Sequence, residues 1–312
     1  MKDNRCGELG VIGMKGCEKF TSQVDYYLKD WRRHGGDGTY VIAADCLRFG
    51  SGEGKAVLHE SMRGKDIYII CDTFNYGVTY KMYGMTVPMG PDEHYADLKR
   101  IIAAIEGKAR RITVIMPMLY EGRQHKRSGR ESLDCALMLQ ELVHMGVSNI
   151  LTFDAHDQRI CNAIPLSGFD NVQPTYQMIK AFMNTETDFD LKNTVIVSPD
   201  EGALSRGMYY SSVLGVQLSM FYKRRDYTVV KDGKNPIVAH EYLGENVEGK
   251  DIIVVDDILS SGESFFHVMD KLKAMGARRI FGFFTFGLFC NGFDVVDKYY
   301  ADGKFDRIYA TN

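Results

Sequence analysis

Lys250-Asp251-Ile252-Ile253-Val254-Val255-Asp256-Asp257-Ile258-Leu259-Ser260-Ser261-Gly262-Glu263-Ser264-Phe265 is the stretch that decides the fold. Its uninterrupted apolar run, Ile252 to Val255, predicts a strand enclosed on both faces, as in a parallel sheet. That strand is expected to end at two adjacent carboxylates, Asp256 and Asp257, before a Ser/Gly turn opens a helix. Such a turn leaves backbone N–H groups and hydroxyls at a helix N-terminus, where phosphate is held. Carboxylates at the strand's carboxyl edge accept hydrogen bonds from hydroxyls or hold a hydrated cation. Phosphate at one end and a diol at the other describe a sugar phosphate. The plainer alternative is a strand-turn-helix whose aspartates only cap the helix.

Outward from this stretch, short apolar runs alternate with amphipathic ones along the whole chain, the pattern of an α/β protein. Strands are predicted at Tyr40–Ala44, Ile67–Cys71, Ile112–Met116, Ile150–Phe153, Thr194–Ser198, Gln217–Phe221, Ile252–Val255 and Ile280–Phe284. Helices are predicted over 18–31, 92–106, 131–145, 175–184, 201–213, 263–275 and 293–300. Several strands run into polar groups: Asp154-Ala155-His156, Ser198-Pro199-Asp200, Lys223-Arg224-Arg225 and Asp256-Asp257. Ligands of open α/β sheets bind beyond the carboxyl ends of strands. The order of elements predicts two similar domains, 1–170 and 171–312, joined around 165–175, although no sequence repeat stands out. Each is expected to be a mostly parallel sheet flanked by helices, with the last residues packing on the N-terminal domain.

At 312 residues the chain can bury two cores. Its 45% apolar and 25% charged residues are those of a soluble globular protein. A net charge of −3 gives no general attraction to nucleic acid or anionic membrane. The N-terminus lacks the apolar core of a signal peptide, and no run approaches a membrane span. Seven scattered cysteines without metal-type spacing predict reduced thiols in the cytoplasm.

Arg123, Lys126, Arg127 and Arg130 are concentrated between a strand and a helix, where guanidinium forks would match phosphate oxygens. Alone, this segment reads equally as a solvated basic loop, and so does Lys223-Arg224-Arg225. His156 has carboxylate neighbours just past a strand, which favours a metal or phosphate role. Asp200 suits either an N-cap or a carboxylate holding Mg²⁺ with a nucleotide phosphate. The histidines at 34, 59, 94, 144, 240 and 267 show no partners in the sequence. Two polar segments, Asp226 to Asn235 and Thr73 to Pro91, are expected to be mobile loops.

In their order along the chain these motifs resemble the ribose-phosphate pyrophosphokinase family, over roughly residues 40–300. The family's Phe-Ser-Asp-Gly-Glu is matched by Phe49-Gly50-Ser51-Gly52-Glu53, and its Arg-Gln-Asp-Arg by Arg123-Gln124-His125-Lys126. Asp-Leu-His becomes Asp154-Ala155-His156, while Ser-Pro-Asp, Lys-Arg-Arg and Val-Asp-Asp stand at 198–200, 223–225 and 255–257. The resemblance implies two domains of type I phosphoribosyltransferase fold. It also implies transfer of pyrophosphoryl from ATP to the 1-hydroxyl of ribose 5-phosphate. By the same resemblance Gly52, Glu53, Arg123, Gln124 and His156 would contact ATP, with Gly52 and Glu53 coming from a neighbouring subunit. His156 and Asp200 would bind Mg²⁺, and Lys223 and Arg225 would be catalytic. Asp256, Asp257, Ser260, Ser261, Gly262, Glu263 and Ser264 would hold ribose 5-phosphate. A cytoplasmic homo-oligomer, hexameric and responsive to inorganic phosphate and ADP, is implied as well.

Four residues depart from the family pattern: Ser51, His125, Ser260 and Glu263. Glu263 places an anion near the incoming phosphate; two unit charges at 4 Å repel by about 1 kcal/mol in water and about 4 at a dielectric near 20. The segment at 73–91 is longer than usual. A non-catalytic relative serving a true synthetase and a phosphoribosyltransferase are the competing readings.

Overall fold

Strands and helices alternate through two units, Met1–Val172 and Gln173–Asn312, of a computed structural model that describes residues 6–32, 38–225 and 237–312. In the first unit β1 (Leu9–Gly13) leads to α1 (Glu18–Arg32), then to a hairpin of β2 (Ala44–Arg48) and β3 (Gly54–Leu58). β4 (Asp66–Ile70) is followed by a second hairpin, β5 (Thr79–Met82) and β6 (Met85–Pro88), and then by α2 (Pro91–Ile105). β7 (Arg111–Met116), α3 (Asp134–His144), β8 (Asn149–Phe153) and β9 (Gly168–Val172) complete it. The sheet order is β1-β4-β7-β8-β9, parallel throughout. Leu98 and Ile101 of α2 and Leu139 and Leu142 of α3 pack on Ile67, Ile69, Val114 and Ile150. Phe20, Val24 and Leu28 of α1 pack on Val11 and Ile70 of the other face.

The second unit runs α4 (Thr175–Thr185), β10 (Thr194–Ser198), α5 (Leu204–Leu214), β11 (Gln217–Arg225), β12 (Ile237–Leu243) and β13 (Asp251–Leu259). It ends with α6 (Glu263–Ala274), β14 (Arg279–Gly287), α7 (Asp294–Ala301) and β15 (Arg307–Tyr309). Its sheet order is β12-β11-β10-β13-β14-β15, with only β12 antiparallel. From β10 the chain moves outward to β11, whereas from β13 it moves outward the other way to β14. Strand order therefore reverses between β10 and β13, which opens a crevice at their carboxyl ends. The first sheet follows chain order and has no such reversal.

Both faces of β13 are buried, as its apolar run requires. Ile252 and Val254 meet Phe265, Met269 and Leu272 of α6. Ile253 and Val255 meet Phe182 of α4 and Tyr210 of α5. All seven expected helices are present. The strands need corrections: β1, β3, β9, β12 and β15 are not among those expected, and β11 and β14 run past their expected ends to Arg225 and Gly287. β13 runs beyond Val255 to Leu259, because Asp256, Ile258 and Leu259 still pair with Phe284, Phe286 and Gly287. Tyr40–Ala44 is not a strand: Val41 makes one bridge to Val11, and pairing resumes only at Ala44 in β2. The segment at 73–91, read as a mobile loop, folds as the β5–β6 hairpin, whereas 226–235 lies outside the described residues. The closing residues, expected on the N-terminal domain, complete the second sheet: β15 pairs with β14, and Thr311 N donates to Thr285 O. Among the described residues no helix is long and apolar enough to cross a membrane.

The structure also exposes a repeat that is faint in the sequence. Gly64-Lys65-Asp66-Ile67 opens β4 and Gly249-Lys250-Asp251-Ile252 opens β13; Ala109-Arg110-Arg111-Ile112 opens β7 and Ala277-Arg278-Arg279-Ile280 opens β14. Asp66 stands opposite Arg111, and Asp251 opposite Arg279. Arg111 grips Asp66 through Nε at 3.1 Å and Nη2 at 2.9 Å. Asp251, fully buried, takes Arg278 at 2.8 and 2.6 Å and Arg279 at 3.2 and 2.7 Å. Burial alone would raise the Asp251 carboxyl, but Arg279 and Arg278 outweigh it and hold it below the usual range.

Because Arg278 is half exposed, water recovers part of its solvation when the carboxylate is lost. Asp251→Asn should therefore destabilise the second unit by about 2–3 kcal/mol at pH 7. A depressed carboxylate contributes stability above its unfolded pKa of about 4 and loses it as pH falls through the folded value. Urea unfolding of wild type and variant should thus converge as pH is lowered from 7 to 3; a gap independent of pH would contradict the clamp.

Candidate functional site

The crevice between β10 and β13 is lined by Pro199, Asp200 and Asp256 together with the loop Ser260 to Ser264. Each wall follows from local chemistry. Gly262 caps α6 with φ +85°, in the left-handed region, and a Cβ there would lie 2.4 Å from the Phe266 ring. Only glycine fits, and lacking a side chain it leaves the first N–H groups of α6 to an outside acceptor. Those N–H groups and the partly exposed Ser260 and Ser261 border the cleft, and a helix N-terminus of this kind suits an anion. Glu263 also borders the cleft, but its side chain is exposed, so its repulsion is weakened by solvent.

Asp200 serves two purposes. Its Oδ1 accepts from Gly202 N at 3.0 Å and Ala203 N at 3.3 Å, as an N-cap would, and it also faces the cleft. Asp256 and Asp257 part company. Strand alternation turns Asp256 toward the cleft and the α6 side. Asp257 turns toward α5, buried, with Arg206 Nη2 at 3.7 Å from its Oδ2. Arg206 was not singled out in the sequence, where a mid-helix arginine carries no signal. Burial raises the Asp256 carboxyl well above its ordinary value, and the neighbouring Asp257 and Asp200 raise it further. Its backbone lies in β13, and its Oδ1 accepts from Asp257 N at 2.9 Å.

In the first unit, the loops after β7 and β8 come together. His125 Nε2 lies 3.4 Å from Asp157 Oδ2, and the His125 and His156 rings are 5.1 Å apart. Burial and then His156 hold the His125 imidazolium below its ordinary pKa. Arg123 is exposed on this loop, while Gln124 Nε2 donates to Ser132 O at 2.8 Å and shapes the turn. Arg123, Gln124 and His156 thus belong to one loop cluster. Gly52 and Glu53 stand elsewhere, at the tip of the β2–β3 hairpin, where Ser51 Oγ donates to Glu53 at 2.8 Å. Lys126, Arg127 and Arg130 are exposed, as a solvated basic loop would be. Lys223 and Arg225 have their backbone in β11 opposite β12; their side chains lie outside the described residues. Two histidines read as unpartnered are not: His94 is buried and donates to Asn75 O at 2.9 Å, and His59 pairs with Asp45 at 2.7 Å.

A parallel sheet with a Ser/Gly anion loop at its switch point defines a phosphoribosyltransferase-type unit, and residues 175–285 match the phosphoribosyl transferase domain. Residues 9–146 match the N-terminal domain of ribose phosphate pyrophosphokinase, and the chain belongs to that family. The ribose-phosphate pyrophosphokinase of Vibrio parahaemolyticus is 28% identical over 259 residues, covering 81% of this chain and 74% of the relative. That of Bradyrhizobium diazoefficiens is 27% identical over 254 residues, covering 81% and 72%. The phosphoribosylpyrophosphate synthetase structure from Mycobacterium smegmatis matches with a TM-score of 0.78 at 22% identity, over 98% of this chain and 89% of that one. It shows a shared fold.

The raised Asp256 carboxyl has a measurable consequence. A group that holds its proton more tightly when folded favours the fold fully below its unfolded pKa, about 4, and loses that contribution as pH rises through the folded value. Without divalent cation, thermal stability should therefore decline as pH rises above 4. Asp200→Asn removes one of the like charges and should shallow that decline in parallel melting scans.

Proposed function

We infer that the chain is a ribose-phosphate pyrophosphokinase, joining the pyrophosphoryl group of ATP to the 1-hydroxyl of ribose 5-phosphate and releasing AMP. One observation carries this reading: Asp200 and Asp256 converge on the Ser260–Ser264 cradle at the strand-order reversal. The cradle and the N-terminus of α6 take the 5-phosphate. Asp256 accepts from ribose hydroxyls, while Asp257 lies on the other face of β13, buried beside Arg206. In the reaction the 1-oxygen of ribose bonds to the β-phosphorus, the bond from that phosphorus to the α-phosphate oxygen breaks, and the hydroxyl proton is released. Such transfer is accelerated chiefly by positioning and by cations around the moving charge. Arg123, Gln124 and His156 hold ATP, with Gly52 and Glu53 supplied from the β2–β3 tip of a neighbouring subunit. Lys223 and Arg225, on β11 beside β10, carry the cationic role.

Mg²⁺ fits this donor set. Oxygen ligands suit a hard cation, and Mg²⁺ is usually held by one or two carboxylates plus substrate phosphates. Asp200 and Asp256, whose like charges raise the Asp256 carboxyl, would hold it, with His156 beside the nucleotide phosphates. Bound there, it would neutralise phosphate charge. The same reading includes a cytoplasmic homo-oligomer, hexameric, with inorganic phosphate and ADP as effectors.

Purified protein given ATP, Mg²⁺ and ribose 5-phosphate should release AMP; release no greater than from Lys223→Ala would defeat the reading. Chelation of Mg²⁺ should abolish activity reversibly. Asp256→Asn should raise KM for ribose 5-phosphate roughly tenfold or more through loss of a carboxylate acceptor for the ribose hydroxyls.

A further inference from the structure

In the first unit the segment between β4 and α2 holds the place that the phosphate loop holds between β13 and α6. β4 and β13 open on the same Gly-Lys-Asp, and the strands after α2 and α6 both open on Arg-Arg. The segment has lost the means to hold phosphate. Its helix begins Pro91-Asp92-Glu93, and the Glu93 carboxylate itself takes Gly90 N at 2.9 Å. The register that sets Thr194 beside Asp251 sets Leu9 beside Asp66, so Lys15 occupies the position of Asp200. Lys15 Nζ donates to Thr79 O at 3.0 Å, tying down the first residue of the β5–β6 hairpin.

That hairpin leans on the β2–β3 tip. Tyr83 N donates to Gly50 O at 2.8 Å. Met82 lies so close to Gly52 (φ +94°) that a Cβ there would come within 2.7 Å of Sδ. At the base, the Arg48 guanidinium lies 5.0 Å from the Tyr80 ring centroid and bonds Asp97 at 2.8 Å, which also takes Arg100 at 2.6 Å. The turn itself has φ +49° at Tyr83 and +79° at Gly84, and the Tyr83 side chain stands 76% exposed beside the tip. An exposed aromatic ring beside a nucleotide-contacting segment offers a stacking face to a base.

We propose that the β5–β6 hairpin is a positioning element of the nucleotide site, which braces the Phe49–Glu53 tip and presents Tyr83 as a platform for the base. This rests on the reading of Gly52 and Glu53 as nucleotide contacts. Val78 O already accepts from Met89 N at 2.8 Å, so a Gly-Gly link can replace residues 79–88 without moving the ends. In that variant, amide exchange over 49–53 should accelerate at least about tenfold, whether or not the protein turns over substrate. Tyr83→Asn keeps a residue that tolerates the turn's positive φ while removing the ring. It should raise KM for ATP roughly tenfold, leave kcat and KM for ribose 5-phosphate within about twofold, and be rescued by Tyr83→Phe. Unchanged exchange in the deletion overturns the brace. Wild-type turnover combined with an unchanged KM for ATP in Tyr83→Asn overturns the platform and leaves the enzymatic reading standing. An inactive wild type defeats that reading and the platform with it, while the exchange measurement still judges the brace.

Discussion

Burial of β13 on both faces is the constraint on which the site depends. A strand covered on both sides cannot turn two consecutive residues the same way. Asp256 and Asp257 are therefore divided between the layers: one faces the cleft, the other lies against α5 with Arg206. The adjacent pair is thus two groups in two environments. The cleft carboxylate is pushed up by burial and by its neighbours, and the other is stabilised by a guanidinium. Because β13 also borders β10 where strand order reverses, the cleft-facing carboxylate, Asp200 and the Ser/Gly loop share one concavity.

Much of this was legible in the sequence because it depends on local periodicity. The run at 252–255 announced a doubly covered strand, and the Ser260-Ser261-Gly262 segment announced the turn that opens α6. The seven helices follow from apolar spacing. What escaped is non-local. The end of β13 could not be placed, since carboxylates ordinarily mark a strand's edge and only pairing with β14 keeps Asp256 through Leu259 in register. Arg206 gains meaning only when α5 is laid against the sheet. The β5–β6 hairpin, rich in Gly and Tyr, reads as loop because its strands are short and half-exposed, and its order comes from contacts with Lys15 and the β2–β3 tip.

The two units show how one scheme supports different surfaces. Both keep an aspartate at the start of a central strand, gripped by arginine from the next. At the opposite edge they share little. One has a three-residue turn, a helix N-terminus without a side-chain cap and two aspartates, Asp200 and Asp256, facing the cleft. The other has a hairpin, an acid-capped helix and a lysine where the first cleft aspartate would stand. Strand order reverses in the second sheet, between β10 and β13, and follows chain order in the first.

The arginine–aspartate clamps have a consequence for how such a chain can change. Because strand alignment is pinned at the amino edge, the carboxyl-edge connections are mechanically decoupled from it. A connection there can grow from a few residues to a whole hairpin without sliding any strand past its neighbour. New loops can thus be tried against a fixed scaffold, and a duplicated half can drift toward a different ligand while its core goes on packing as before.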